Sequence, residues 1–491
     1  MSTSSKIGLF LGPAVAGLIL LVGAPADMAG GAHLPPAWIV LAMLALMAIW
    51  WVSEAIPIPV TSLLPLVILP LTNVSSMSAA AQPYMHPIVV LLMGGFIFAK
   101  AIERWGLHER IALNVVRRMG TSPAGIIAGF MAAATLLSMW ISNSATSIMM
   151  MPIALSVVAA LEWGEEGARR NFTFALLLGI AYACSIGGLG TPVGTPTNLI
   201  VLGYLNENGG REIGFAQWMM LGIPVVLLMV PLTWWSLTRW TFKMPNIDVS
   251  TASENVSRRL GAIGRITIPE RRTLTIFTVI AALWIFRRPL SELELAFGES
   301  TYVPLSGLTD HVIAIVAVLV CFLVPAGGET KGARILSWDK AESIPWGVLL
   351  LFGGGMSLAA AISSSGLSQY IGQTLSVVAA YPTPVLIFLI TAAVLMLTEV
   401  TSNIATASAL MPVLGAVALE TGIPLELMAA PVALAASCAF MLPMATGPNA
   451  VAFATGQVEL STMAKAGFRV NLIAIAIITV LAFKLAPIAI G

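Results

Sequence analysis

Long apolar runs separated by short polar breaks fill the chain from end to end. Runs approaching the ~20 residues that cross a bilayer as helix lie near 7–23, 36–52, 55–71, 86–102, 172–202, 215–238, 273–289, 309–325, 345–363, 428–454 and 466–490. Two regions, 123–162 and 384–420, do not fit single spans: each has an apolar arm, a break at a Ser-Asn pair and a second apolar arm. As ordinary helix pairs they put each break on the far side of the membrane. As re-entrant hairpins they stop each break at mid-depth and return the chain to its starting side. The pattern predicts an all-α polytopic membrane protein of about eleven transmembrane helices plus two re-entrant helix hairpins.

Composition agrees with that class. Hydrophobic residues make up 58% of the chain, charged residues only 10%, and mean hydropathy is +0.93; a soluble domain is about a quarter charged. The first run has Lys6 before it, but further spans follow it and no convincing small-residue cleavage site does, so it reads as an uncleaved helix and not a signal peptide. Cys184, Cys321 and Cys438 lie in apolar segments with no CxxC spacing and read as packing residues.

Charge arbitrates the topology. With a cytoplasmic N-terminus and the hairpin reading, 19 of the 24 basic residues fall in cytoplasmic segments, as the positive-inside rule requires. Arg211, Arg287, Arg288 and Lys484 fall on the outer side or near it, and Lys100 lies within a span. The Arg287-Arg288 pair is the weakest point of this path. It makes the first hairpin open from the cytoplasm and the second from outside, so the halves are inverted repeats whose Ser-Asn tips meet near the midplane.

The repeat is written in the sequence itself. Ser142-Asn143 and Ser402-Asn403 are each followed, ten residues after the serine, by a proline, Pro152 and Pro412. Gly106 precedes Asn143 by 37 residues, and Gly366 precedes Asn403 by 37. A third matched pair is Gly194-Thr195-Pro196-Thr197-Asn198 and Ala445-Thr446-Gly447-Pro448-Asn449. One such break in a span is more often a kink or an interhelical hydrogen bond. Matched breaks in two halves point to a binding seam.

These breaks supply hydroxyls, amides, freed N–H groups at helix starts and freed carbonyls at helix ends. The N–H groups attract anions, and the carbonyls suit a small hard cation such as Na⁺. Neither tip carries Lys, Arg or His, and a dianion at mid-depth needs compensation. Co-bound cations, one or more per break, are the natural source, which favours sodium coupling over anion exchange. Glu54 and Glu399 are acids in apolar context; each is either an ion relay or a structural acid hydrogen-bonded to backbone amides, and the structural role is preferred. His311, beside Asp310 at the outer start of a span, is a weaker proton-site candidate. HExxH, P-loop, GxSxG and paired catalytic carboxylates are absent from the sequence, so no enzyme is expected.

The segments SNSAT with its downstream proline, GTPTN, LTEVTSNIAT, MLPMATGPNA and the early WWVSEAIPIPVTSLLP together resemble the divalent anion:sodium symporter family of di- and tricarboxylate and sulfate transporters. The resemblance runs along essentially the whole chain. It implies a homodimer whose protomers divide into a scaffold and a transport domain that slides as an elevator. By motif, one sodium site would use Ser138, Ser142, Asn143 and Gly194, and a second Thr398, Thr401, Asn403 and Ala445. The substrate would meet Asn143, Ser144, Thr195, Ser402, Asn403 and Thr446.

On that footing residues 1–85 form N-terminal scaffold helices and 86–242 a first repeat, with hairpin 123–162 and a broken helix near 194–198. Residues 243–272 form a cytoplasmic linker and 273–344 the scaffold helices of the second half. Residues 345–491 form the second repeat, with hairpin 384–420 and a broken helix near 445–449. Two departures stand out: the second tip reads Ser-Asn-Ile where relatives have Ser-Asn-Thr, and Gly447 stands where a proline is usual. Ile404 removes a hydroxyl where substrate is held, and a less polar or smaller anion then competes with an ordinary C4-dicarboxylate.

The expected function is sodium-coupled symport of a small divalent anion, succinate being the first choice, in an inner or plasma membrane. Partners are the dianion, sodium, the bilayer and a second copy; nothing points to nucleic acid. The rivals are a sodium-independent dicarboxylate exchanger, a sulfate transporter and, in another class, a cation/proton antiporter or oxyanion efflux permease. The last needs a titratable midplane residue, for which only Glu399 comes close.

Overall fold

The computed structural model describes residues 3–25, 34–119, 122–210, 212–247, 249–297, 300–328, 330–374 and 381–491; Arg211, one of the outer-side charges, lies outside them. Among the described residues the architecture is helical apart from two small antiparallel hairpins, Leu295–Phe297 with Ser300–Tyr302 and Pro325–Gly327 with Thr330–Arg334. Nine helices among the described residues are long and apolar enough to cross a membrane, and two of them, Asn143–Ala160 and Asn403–Thr421, are hairpin arms.

Several expected spans differ from single long helices. The 55–71 run is two short helices, Ile58–Thr61 and Leu64–Leu71, because Pro57, Pro59 and Pro65 remove N–H donors at helix starts. The 309–325 run is Asp310–Leu323, of 14 residues. The 273–289 run is divided between Ile268–Ile285, whose first turn carries Glu270, and the short helix Arg287–Ser291. The linker 243–272 is partly ordered as the helix Ser250–Ile263. It is held against the first hairpin by Arg259 Nη1 donating to Ser156 Oγ at 3.2 Å. Glu270 at its end accepts from Arg110 Nε at 2.9 Å and Nη2 at 3.0 Å.

The sequence duplication is a structural one. Each of the two regions is a helix, a break and a second helix, Pro123–Ser138 with Asn143–Ala160 and Thr383–Thr398 with Asn403–Thr421. Pro123 and Pro382 open the first arms, Pro123 preceded by a Ser122 cap that accepts from Gly125 N. The paired glycines are equivalent: Gly106 (φ +67°) and Gly366 (φ +81°) take the left-handed turn between two helices, a conformation a side chain resists.

Both breaks near 194 and 445 interrupt helices. The first helix runs Glu166–Gly187, passes through a 3₁₀ turn at Gly188–Gly190 and resumes at Pro196–Asn208. Its counterpart runs Leu425–Ala436 and resumes at Gly447–Ala454. The leading arms form the centre of the molecule: every residue from Phe172 to Gly187 is buried, as is every residue from Leu427 to Ala436. A helix apolar on all sides is stable only when enclosed in this way.

Candidate functional site

The hairpin tips and helix breaks open onto one cavity of about 840 Å³. Ten of the twelve expected site residues line it: Ser142, Asn143, Ser144, Gly194 and Thr195 from the first half, and Thr401, Ser402, Asn403, Ala445 and Thr446 from the second. The other two stand behind the asparagines. Ser138 Oγ donates to Asn143 Oδ1 at 2.6 Å, and Thr398 Oγ1 to Asn403 Oδ1 at 2.8 Å. Each tip thus holds its asparagine by the same hydroxyl-to-amide contact, five residues back along the chain.

Local backbone explains why the tips point as they do. Ser142 and Ser402 take extended conformations (ψ 132° and 131°) directly before the second arms, so the N–H groups of Asn143, Ser144 and Ala145, or Asn403, Ile404 and Ala405, lie at helix starts. Thr195 and Thr446 do the same at the breaks, with φ −145° and −139°. The result is four helix starts around one space, each a source of positive dipole, with Ser142 Oγ capping Ala145 N and Thr446 Oγ1 capping Asn449 N.

The first break approaches the first tip closely. A Cβ built on Gly188 would sit 2.9 Å from Asn143 Oδ1 and 3.1 Å from Gly194 O. The absence of that atom lets an amide oxygen and a backbone carbonyl share a small pocket. Neutral oxygens of this kind bind a hard alkali cation. Groups of three or more His, Cys, Asp or Glu with metal-binding arrangement are absent among the described residues.

The halves also touch each other. A Cβ on Gly447 would lie 1.9 Å from Ser144 Oγ, so the first tip is seated against the second break through the space a side chain would fill. The breaks meet through Thr197 and Ser437, whose hydroxyls are 2.6 Å apart.

Two asparagines without an assigned role in the sequence reading prove structurally equivalent. Asn198 Nδ2 donates to Gly188 O at 2.9 Å and Thr191 O at 2.8 Å; Asn449 Nδ2 donates to Ala439 O and Leu442 O, both at 3.0 Å. Each ties off its break by the same two carbonyls, ten and seven residues back. The signal was available, since both asparagines close the matched motifs three residues after Thr195 and Thr446.

Glu399 is the hydrogen-bonded acid of the two readings left open. Its carboxylate, 4% exposed, accepts from the backbone N–H groups of Phe440, Met441 and Leu442 and from Asn471 Nδ2 at 2.7 Å. It joins the second hairpin to the second break and to the C-terminal helix Leu460–Ala489. Glu54 lines the cavity in a left-handed conformation (φ 48°) at the end of Pro36–Ser53. His311 is remote from the tips, in a separate cavity of about 210 Å³ with His86 and Asp310.

Paired hairpins and paired broken helices around one polar cavity in a polytopic helical protein define a secondary transporter, a binding and translocating machine and not an enzyme. Residues 4–488 match the family model described as the sodium:sulfate symporter transmembrane region. The sodium-dependent dicarboxylate transporter SdcS of Staphylococcus saprophyticus is 38% identical over 490 residues, covering 99% of this chain and 92% of that protein. The SdcS of Staphylococcus aureus is 39% identical over 496 residues, covering 100% and 93%. Among solved structures, the YdaH transporter of Alcanivorax borkumensis is similar in fold, with a TM-score of 0.56 at 15% identity over 91% of this chain and 97% of that one. The chain belongs to the sodium:sulfate symporter family.

Proposed function

We propose that the protein is a sodium-coupled symporter of a small divalent anion, with a C4-dicarboxylate such as succinate as first substrate. The observation that carries this reading is the twofold matched site: two asparagines held by the same hydroxyl contact, at two tips without fixed cations, on one cavity. Sodium bound at Ser138, Ser142, Asn143 and Gly194, and at Thr398, Thr401, Asn403 and Ala445, supplies the positive charge that a dianion needs at that depth. Asn143, Ser144, Thr195, Ser402, Asn403 and Thr446 then hold its carboxylates through hydroxyls, amides and helix-start N–H groups. The relatives named sodium-dependent dicarboxylate transporters support both sodium and dicarboxylate.

With the N-terminus in the cytoplasm, Ser4, Glu103 and Ser343, which share the cavity wall, belong to the cytoplasmic end and support an inward-open arrangement. In this reading hairpins and broken helices move together as a transport domain against a scaffold within a homodimer. The test is uptake of radiolabelled succinate into proteoliposomes under an inward sodium gradient, with choline as the control cation and sulfate, citrate and glutarate as competitors. Sodium-dependent accumulation is expected. Uptake only into succinate-loaded vesicles, indifferent to sodium, would make the protein an exchanger, and preferential displacement by sulfate would reassign the substrate.

A further inference from the structure

The tips are free of cations, but the cavity is not. Lys100 is the one basic residue lining it among the described residues, and Glu54 and Glu103 are its acidic companions. Lys100 stands on the helix Pro87–Arg104, outside both hairpins and both broken helices. Its Nζ donates to Glu103 Oε2 at 2.8 Å, and the two side chains are 28% and 22% exposed. An ammonium carries three donors, and Glu103 engages one of them.

The sign of the wall makes Lys100 informative. One positive and two negative side chains line the wall, so away from the tips Lys100 is its one fixed charge, among the described residues, that attracts a dianion. Within a narrow cleft bounded by low-dielectric walls, one fixed charge acts more strongly than it would on an open surface. A carboxylate of matching geometry can take the place of Glu103 at the ammonium, because the pair is partly hydrated and such pairs contribute little to folding.

We infer that Lys100 forms a second, transient carboxylate subsite on the cavity wall, with Glu103 as the built-in competitor that keeps the subsite weak. A dianion that has left the tips and parted from its sodium has lost its counter-charge, and Lys100 replaces part of it on the way out. Glu103 then reclaims the ammonium and frees the anion. The inference rests on the functional reading above and adds a residue that none of the motifs contains.

The experiment is succinate binding to the purified full-length protein, by calorimetry at fixed sodium, at low and at high ionic strength made up with choline chloride. At low ionic strength Lys100→Gln weakens binding about three- to tenfold, and Glu103→Gln tightens it by a comparable factor. High ionic strength compresses both differences, because the charges are partly solvated. The double variant behaves as Lys100→Gln does. Sodium-induced thermal stabilisation without succinate stays at the wild-type value in all three, since the tips are untouched. Wild-type affinity in both single variants, or weakening in both, would overturn the subsite, the second result marking a structural ion pair only. Failure of the wild type to bind succinate at all would instead sink the functional reading, and the subsite with it.

Discussion

Replacing Glu399 by alanine is the perturbation whose cost follows most directly from the geometry. One carboxylate serves four donors: Phe440 N at 2.8 Å and Asn471 Nδ2 at 2.7 Å on Oε1, Met441 N at 3.0 and 3.1 Å on both oxygens, and Leu442 N at 3.2 Å on Oε2. Alanine leaves all four without their acceptor, two of them, Phe440 N and Asn471 Nδ2, in fully buried surroundings and two in partly buried ones. Each buried unsatisfied donor costs about 1–3 kcal/mol, so the two fully buried ones and a smaller share from the other two bring the loss to about 4 kcal/mol, a large part of the stability of most folded domains. Glutamine keeps the shape and one acceptor oxygen, turns the other into a donor facing donors, and costs about 2 kcal/mol. The assay is thermal unfolding in detergent followed by a thiol-reactive dye, since Cys184, Cys321 and Cys438 are buried and free. At roughly 2–4 °C per kcal/mol in smaller domains, Glu399→Ala lowers the midpoint by about 10 °C and Glu399→Gln by about half as much. A Glu399→Ala protein with the wild-type midpoint would refute the reasoning. A Glu399→Gln protein that is stable but has lost a pH-dependent component of transport would restore the relay reading.

Three further outcomes follow from the site. Asn403→Ala removes the amide that Thr398 holds and abolishes sodium-dependent uptake while size-exclusion behaviour stays that of the wild type; uptake with unchanged sodium activation would count heavily against the site. Gly447→Ala drives a methyl into the position of Ser144 Oγ, 1.9 Å away. The overpacking costs about 1–3 kcal/mol and weakens succinate binding, and adding Ser144→Ala recovers the unfolding midpoint but not full affinity. Asn449→Ala releases the carbonyls of Ala439 and Leu442 and lowers apparent sodium affinity about tenfold, as loss of a supporting residue around a bound ion commonly does; Asn198→Ala does the same from the other half. Sodium activation curves at fixed succinate read both.

The tips and breaks were legible because the chain states them twice in polar letters on an apolar background. Ser142-Asn143 and Ser402-Asn403, with their prolines at the same distance, needed no tertiary information. What escaped depends on approach between distant elements. The seat of Ser144 on Gly447, the bond from Asn471 to Glu399 and the placement of Lys100 on the cavity wall are all set by packing between separate helices. The division of 55–71 had a visible cause in Pro57, Pro59 and Pro65, but overall apolarity outweighed it in a reading based on length. Asn198 and Asn449 fall between these cases, since their matched positions were visible while the carbonyls they hold were not.

Simultaneous flux of ²²Na⁺ and ¹⁴C-succinate in the same proteoliposomes tests the central claim, that two matched cation sites carry one dianion between them. The account predicts that about two or more sodium ions enter with each succinate, and that both fluxes vanish together in Asn143→Ala and in Asn403→Ala. Succinate entering with no associated sodium, or sodium flux that persists after both asparagines are removed, would contradict it.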